Sequence, residues 1–196
     1  MDKVFDFFTI MPEDKVPEAG KILISEPFLS DFFFNRTIVY LTSHSHEGSV
    51  GFVLNRYMLS KVSETIPGLE KWDEPLSMGG PVSTDTLHFL HSLGNAIPNS
   101  VKIKDNIYWG GDVNMVKELI NEGKVPKNCI RFFLGYSGWE AGQLERELNE
   151  DSWVIARINS KNVLQNKDND LWTSILRGLK SKYRVWADLP KYPELN

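Results

Sequence analysis

Short apolar runs, bounded by glycine, proline and polar clusters, set the rhythm of the first half of this chain. Lys21-Ile22-Leu23-Ile24-Ser25 reads as the first strand, with Gly20 before it and Pro27 after it. Thr37 to Thr42 and Ser49 to Leu54 read as the next two. Between them, Ser43-His44-Ser45-His46-Glu47-Gly48 has the composition of a polar hairpin loop closed by glycine. From Tyr57 to Ser77 the pattern mixes charge with Pro67 and Gly68, which predicts a short helix inside a long connection. Thr86 to His91 is a further strand, and Ile107-Tyr108-Trp109 leads into a helix.

That helix is well punctuated. Asp112 is placed to cap it, Val113, Val116, Leu119 and Ile120 recur at helical spacing, and Gly123 supplies the stop. A strand from Ile130 to Leu134 follows. Ser137 and Glu140 then have the spacing of a capping box, which predicts a second helix presenting Ala141, Leu144 and Leu148 to the core. Ser152 to Ile158 reads as a strand and Asn159 to Asp170 as a polar loop. A third helix presents Leu171, Trp172, Ile175, Leu176 and Leu179. The tail after Tyr183, with Pro190 and Pro193, is expected along the surface. Hairpins first and strand-helix alternation later predict a mixed α+β or α/β domain, with a mostly antiparallel central sheet and flanking helices. No internal repeat is present, and residues 1–196 are expected to form one domain.

Composition narrows the class of function. Six Trp, six Tyr and eleven Phe favour an ordered core. The net charge of −4 offers no bulk attraction to nucleic acid or anionic lipid, so neither is an expected partner. Cys129 is the one cysteine; it cannot form an internal disulfide or a multi-thiolate zinc site, and it reads as a small core residue. No apolar run is long enough to span a membrane. The first eight residues carry two acids and no basic leader, so the expected location is cytoplasmic.

Four histidines raise the question of a metal. His44 and His46 would share a face on a strand, with Glu47 adjoining, but the loop reading removes that geometry. His88 and His91, three apart on a strand, face opposite sides. No metal or other cofactor is expected, and His44 and His46 are weak candidates only. Gly-x-Ser-x-Gly, Walker and dinucleotide-binding patterns are all absent. The pairs Gly79-Gly80 and Gly110-Gly111 read as turns at positive φ. The only local basic cluster, Arg177, Lys180, Lys182 and Arg184, reads as a solvated helix end.

Several blocks taken in order resemble a known family. They are Phe32 to Leu41, His46 to Arg56, Gly79-Gly80-Pro81-Val82, Leu90-His91-Ser92, and Gly135-Tyr136-Ser137-Gly138-Trp139 running into Gly142 to Leu148 and Trp153. Together, over about residues 20–179, they resemble the AlgH (YqgE-like) family of bacterial proteins, in wording close to its Bacteroidetes members. The resemblance implies a single-domain α/β fold and a cytosolic location. It implies no reaction and no cofactor. The family takes its name from a role assigned to it in transcription of alginate genes, which sits poorly with an acidic chain lacking a DNA-binding motif.

The polar parts of these blocks fall at strand ends, where loops carry function. Asn55, Arg56, Gly79, Gly80, Pro81, Ser137, Gly138, Trp139 and Gln143 are therefore expected to converge on one shallow surface. Trp139 and Gln143, four apart on a helix, would offer an aromatic anchor beside an amide. The competing expectation is that Trp139 packs in the core and the glycines only turn the chain. The preferred function is a non-catalytic binding protein for a partner protein or small ligand, with a regulatory role. The alternative is a small hydrolase-like or metal-dependent enzyme using His44, His46 or His91 with Glu47 or Asp112.

Overall fold

A computed structural model describes residues 15–165, 170–179 and 182–191. The N-terminal leader reading, Lys180 of the basic cluster and Pro193 of the tail lie outside the described residues. Ile22, Leu23 and Ile24 of β1 (Lys21–Ser25) point alternately to two faces, and all three are wholly buried. A strand covered on both faces needs no polar side, so the segment reads as one unbroken apolar run. β2 (Ile38–Ser45) and β3 (Gly48–Val53) follow as a hairpin. The remaining strands are β4 (Tyr57–Lys61), β5 (Pro75–Met78), β6 (Val82–His91), β7 (Val101–Lys104), β8 (Ile107–Trp109), β9 (Ile130–Glu140) and β10 (Trp153–Arg157).

These strands form a curled, mixed α/β single-domain architecture in the order β10-β1-β2-β3-β9-β6-β8-β7. All neighbours on that path are antiparallel; β5 alone joins β9 in parallel and carries β4 with it. The inner face, with Ile22, Ile24, Tyr40, Phe52 and Phe133, packs against α4 (Ser160–Gln165) and α5 (Leu171–Gly178). The outer face divides. Phe89, Phe132 and Trp72 meet Val116 and Ile120 of α2 (Val113–Asn121), with half-buried Cys129 at the edge. Leu23, Val39, Trp139 and Trp153 meet Leu144 and Leu148 of α3 (Gln143–Asn149).

Asp112 caps α2 as expected, its Oδ1 accepting from the N–H groups of Asn114 and Met115. Other expectations need correction. The His44 to Gly48 loop is a two-residue turn, because β2 runs through Ser45 and β3 starts at Gly48. The Tyr57 to Ser77 connection contains β4, the four-residue α1 (Val62–Thr65) and β5; β7 was not expected at all. α4 lies within the supposed polar loop after Asn159. Ser137 does not cap a helix. β9 continues through it to Glu140, since Ser137, Gly138, Trp139 and Glu140 pair with Gly51, Val50, Ser49 and Gly48 of β3. Long-range pairing outcompetes a capping pattern that lacks a partner of its own. α3 begins only at Gln143, after Gly142 turns the chain at φ 72°, and Ala141 is exposed rather than buried.

Candidate functional site

Two Asn-Arg pairs meet at one end of the β2–β3 hairpin. Val39 lies opposite Val53, and carrying that register three residues outward sets Arg36 opposite Arg56. The asparagine between them is a strut: Asn55 Oδ1 accepts from the Ile38 N–H, and its amide donates to the Arg36 carbonyl. The Asn35 amide donates to the Pro27 and Leu29 carbonyls, closing the turn before β2. Asp31 holds the same turn, its Oδ1 accepting from the Phe33 and Phe34 N–H groups. Arg36 sits at φ 53°, a region that a bulky residue enters at a cost and that over-determined surroundings must enforce.

Around these residues lies a groove of about 400 Å³, lined by Asn35, Arg36, Asn55 and Arg56 and completed by Leu29, Ser30, Phe32, Trp172, Thr173, Asp170 and Lys191. Arg36 donates through Nη2 to the Leu189 and Pro190 carbonyls, and its guanidinium lies 4.7 Å from the Trp172 ring centre. Arg56 donates through Nη2 to the Asn35 carbonyl and lies over Phe33. The Nε of each is buried without a hydrogen-bond partner. Burial lowers both pKa values, opposed at Arg36 by the field of Asp170. Both remain cations, because guanidinium starts from far above neutral pH.

A third arginine fixes this end of β3 from inside. Arg131 on β9 is almost wholly buried and donates to Ser77 Oγ, the Val163 carbonyl and the Leu54 carbonyl. Its charge also faces the Tyr57 and Phe133 rings. Burial lowers its pKa, with Tyr57 opposing. The bond to Leu54 anchors the residue next to Asn55 and Arg56.

The other residues expected at a common surface divide. Gly79 and Gly80 do meet the Gly135 to Ser137 stretch, but as buried backbone. Ser137 Oγ donates to the Gly79 carbonyl, and the Gly79 N–H donates to the Leu134 carbonyl. Neither Gly79 nor Gly80 has positive φ, so the turn explanation is corrected: glycine is required because a Cβ on Gly80 would run into the Tyr136 backbone. Gly110 and Gly111 do have positive φ. Pro81 and Gly138 are exposed nearby. Trp139 is 6% exposed and belongs to a strand, so it does not share a helix face with Gln143. Its indole N–H and that of Trp153 both donate to Glu147 Oε2, while the Gln143 amide donates to Oε1. Ser137 and Trp139 offer no accessible surface to a ligand. Asn55 and Arg56 line the groove, away from this buried set.

The histidines are similarly separated. His44 Nδ1 lies 2.8 Å from Ser49 Oγ, and its Nε2 lies 3.7 Å from Glu145, while His46 and Glu47 are exposed in the turn. His91 is wholly buried: Nδ1 accepts from the Leu93 N–H, and Nε2 lies 3.0 Å from both Ser100 Oγ and the Gly110 carbonyl. That set assigns the Nε2–H tautomer. The Asp112 carboxylate is occupied in capping α2. His88 faces the opposite side of β6, among the Phe52, Trp109 and Tyr136 rings. Among the described residues, no three His, Cys, Asp or Glu side chains are arranged to hold a metal ion.

Asn35 and Arg36 fall in the Phe32 to Leu41 block but not among the expected surface residues, although they repeat the Asn55-Arg56 pair. Their signal was the antiparallel hairpin itself, which brings the start of one strand beside the end of the next.

Comparison with known proteins follows the same lines. A UPF0301 protein of Chlorobium limicola is 44% identical over 177 residues, covering 90% of this chain and 95% of the relative. A UPF0301 protein of Bacteroides fragilis is 41% identical over 194 residues, covering 97% of each. Protein DIP2367 from Corynebacterium diphtheriae has a TM-score of 0.74 at 19% identity, over 88% of this chain and 92% of that one. The AlgH protein from Pseudomonas aeruginosa has a TM-score of 0.70 at 24% identity, over 91% and 98%. Those two likenesses are of fold. A family model described as AlgH-like matches residues 22–184, and with relatives of this identity and coverage the chain belongs to the AlgH-like family.

Proposed function

We propose that this chain is a non-catalytic cytoplasmic binding protein that receives a small anionic ligand between Arg36 and Arg56. One observation carries the reading: two guanidinium groups line the same groove, and Asp170, whose field reaches Arg36, is the one carboxylate among its lining residues. With Nη2 of each arginine on backbone carbonyls and Nε buried, Nη1 is the nitrogen left to donate to a carboxylate or phosphate oxygen, and partial burial strengthens that charge-assisted contact by excluding water. Their positions come from backbone held by Asn55, Asp31 and Arg131, so little ordering is needed on binding. A regulatory role would follow if ligand occupancy altered the face offered to a partner protein. The enzymatic alternative is not favoured, because His91 and Asp112 already use their polar atoms on neighbouring backbone.

Calorimetric titration with inorganic phosphate and with citrate, at constant ionic strength, tests the reading. Wild-type protein is expected to bind at least one of them, with the affinity of Arg56→Gln about tenfold or more weaker, the loss of a charge-assisted hydrogen bond. Arg56→Lys, which keeps the charge but not the planar guanidinium, is expected between the two. Equal binding by all three folded proteins, or none by wild type, would overturn it.

A further inference from the structure

We infer that the ligand of this groove is a nucleoside monophosphate, its phosphate held by Arg36 and Arg56 and its base stacked on Phe32; the inference rests on the anion-binding reading above. The space is too large for a bare oxyanion. About 400 Å³ falls within the range that takes drug-sized molecules. Beyond the guanidinium groups the lining includes apolar Leu29 and Phe32, while Trp172 lies buried against Arg36 and Asp170 and Lys191 add charge.

Phe32 is the informative residue. It is 93% exposed, and among the described residues no ring or cation covers it. Yet its turn is not loose, since Asp31 pins the next two N–H groups and Phe33 and Phe34 pack on the α3-side core. A rigidly carried aromatic face beside a cationic site is the pair of features with which proteins hold a base and its phosphate. A nucleobase covers such a face with flat π-surface, whereas an inorganic anion leaves it wet.

Between the two ends, the chain presents groups suited to a sugar. Ser30, Asn35 and Thr173 are among the lining residues, Thr173 only 8% exposed, and neither hydroxyl nor Asn35 Oδ1 makes a hydrogen bond among the described residues. Hydroxyls both donate and accept, and an amide oxygen accepts, which suits ribose hydroxyls or an exocyclic amine. A dicarboxylate could accept from the hydroxyls but would leave Asn35 Oδ1, an acceptor, without a donor.

The experiment compares adenosine monophosphate, ribose 5-phosphate and inorganic phosphate by calorimetry at fixed ionic strength. The proteins are wild type, Phe32→Ser and Arg56→Gln. Wild type is expected to bind adenosine monophosphate about tenfold or more tightly than ribose 5-phosphate, the weight of one base–aromatic stack. Phe32→Ser removes an exposed ring and no core contact, so it should fold normally, lose that preference and keep the affinity for ribose 5-phosphate. Arg56→Gln should weaken all three. If wild type binds ribose 5-phosphate as tightly as the nucleotide, or Phe32→Ser keeps the preference, the nucleotide inference fails while the anion site stands. If wild type binds none of the three, the nucleotide inference fails, and if it binds no citrate either, the anion site fails with it.

Discussion

His91 shows how a residue with catalytic chemistry is consumed by structure. Both ring nitrogens are engaged, one accepting from the Leu93 N–H, so a second ring proton would face a donor. Burial lowers its pKa, opposed by the bond to the Gly110 carbonyl, and burial also lowers that of His88. The unfolded chain therefore binds these protons first as the pH falls. Their contribution to stability is complete above about pH 6.5, the unfolded value, and is lost as pH drops through that point toward the folded values. Urea unfolding midpoints are expected to be lower at about pH 5.5 than at about pH 7.5. His91→Gln, which cannot titrate, should show a smaller difference between the two. An unchanged difference would remove His91 from this account.

At the scale of elements, β9 decides the architecture. It pairs with β6 over its first half, with β5 beside Phe133 and Leu134, and with β3 over Ser137 to Glu140. Gly79 and Gly80 cross it where these partners change, close enough that only hydrogen fits. Gly80→Ala is expected to cost about 3 kcal/mol or more, at the upper end for overpacking, because backbone rather than a flexible side chain must yield. Gly123→Ala is the informative control: open space surrounds that site, and its cost should be about 1 kcal/mol from positive φ alone. Chemical denaturation of the two variants checks the ordering. Ser137 to Glu140 also shows what the sequence hid. Their alternating burial has a period of two, but a local capping pattern overlay it and no partner strand was visible.

Across the whole molecule, the groove joins parts that are far apart in sequence. The turn before β2, the end of β3, the start of α5 and the segment at Leu189 and Pro190 all contribute. A ligand seated there binds only the folded chain and should stabilise all of it together. At a hundredfold excess over Kd the gain is about 2.7 kcal/mol. For a chain of this size that raises Tm by about 5–10 °C. Differential scanning calorimetry with adenosine monophosphate should show this shift in wild type and a much smaller one in Arg56→Gln; equal shifts would mean that the ligand binds elsewhere. The acidic net charge supports a local cationic site over a broad nucleic-acid surface.

The sequence alone determined the fold class, the family, β1, the α2 cap at Asp112 and the apolar face of α5. Each rests on a local pattern or on motif blocks read in order, and local patterns survive without knowledge of neighbours. Of the eleven residues that line the groove, the sequence reading singles out Asn55 and Arg56, and it sets them on a different surface, shared with Gly79 and Trp139. Only the tertiary structure decided that Arg36 stands opposite Arg56, that Trp139 is sealed against Glu147, and that Gly79 and Gly80 are needed for closeness rather than for turning. Those outcomes depend on which strand lies beside which, and strand pairing is set by contacts between distant residues that no single segment encodes.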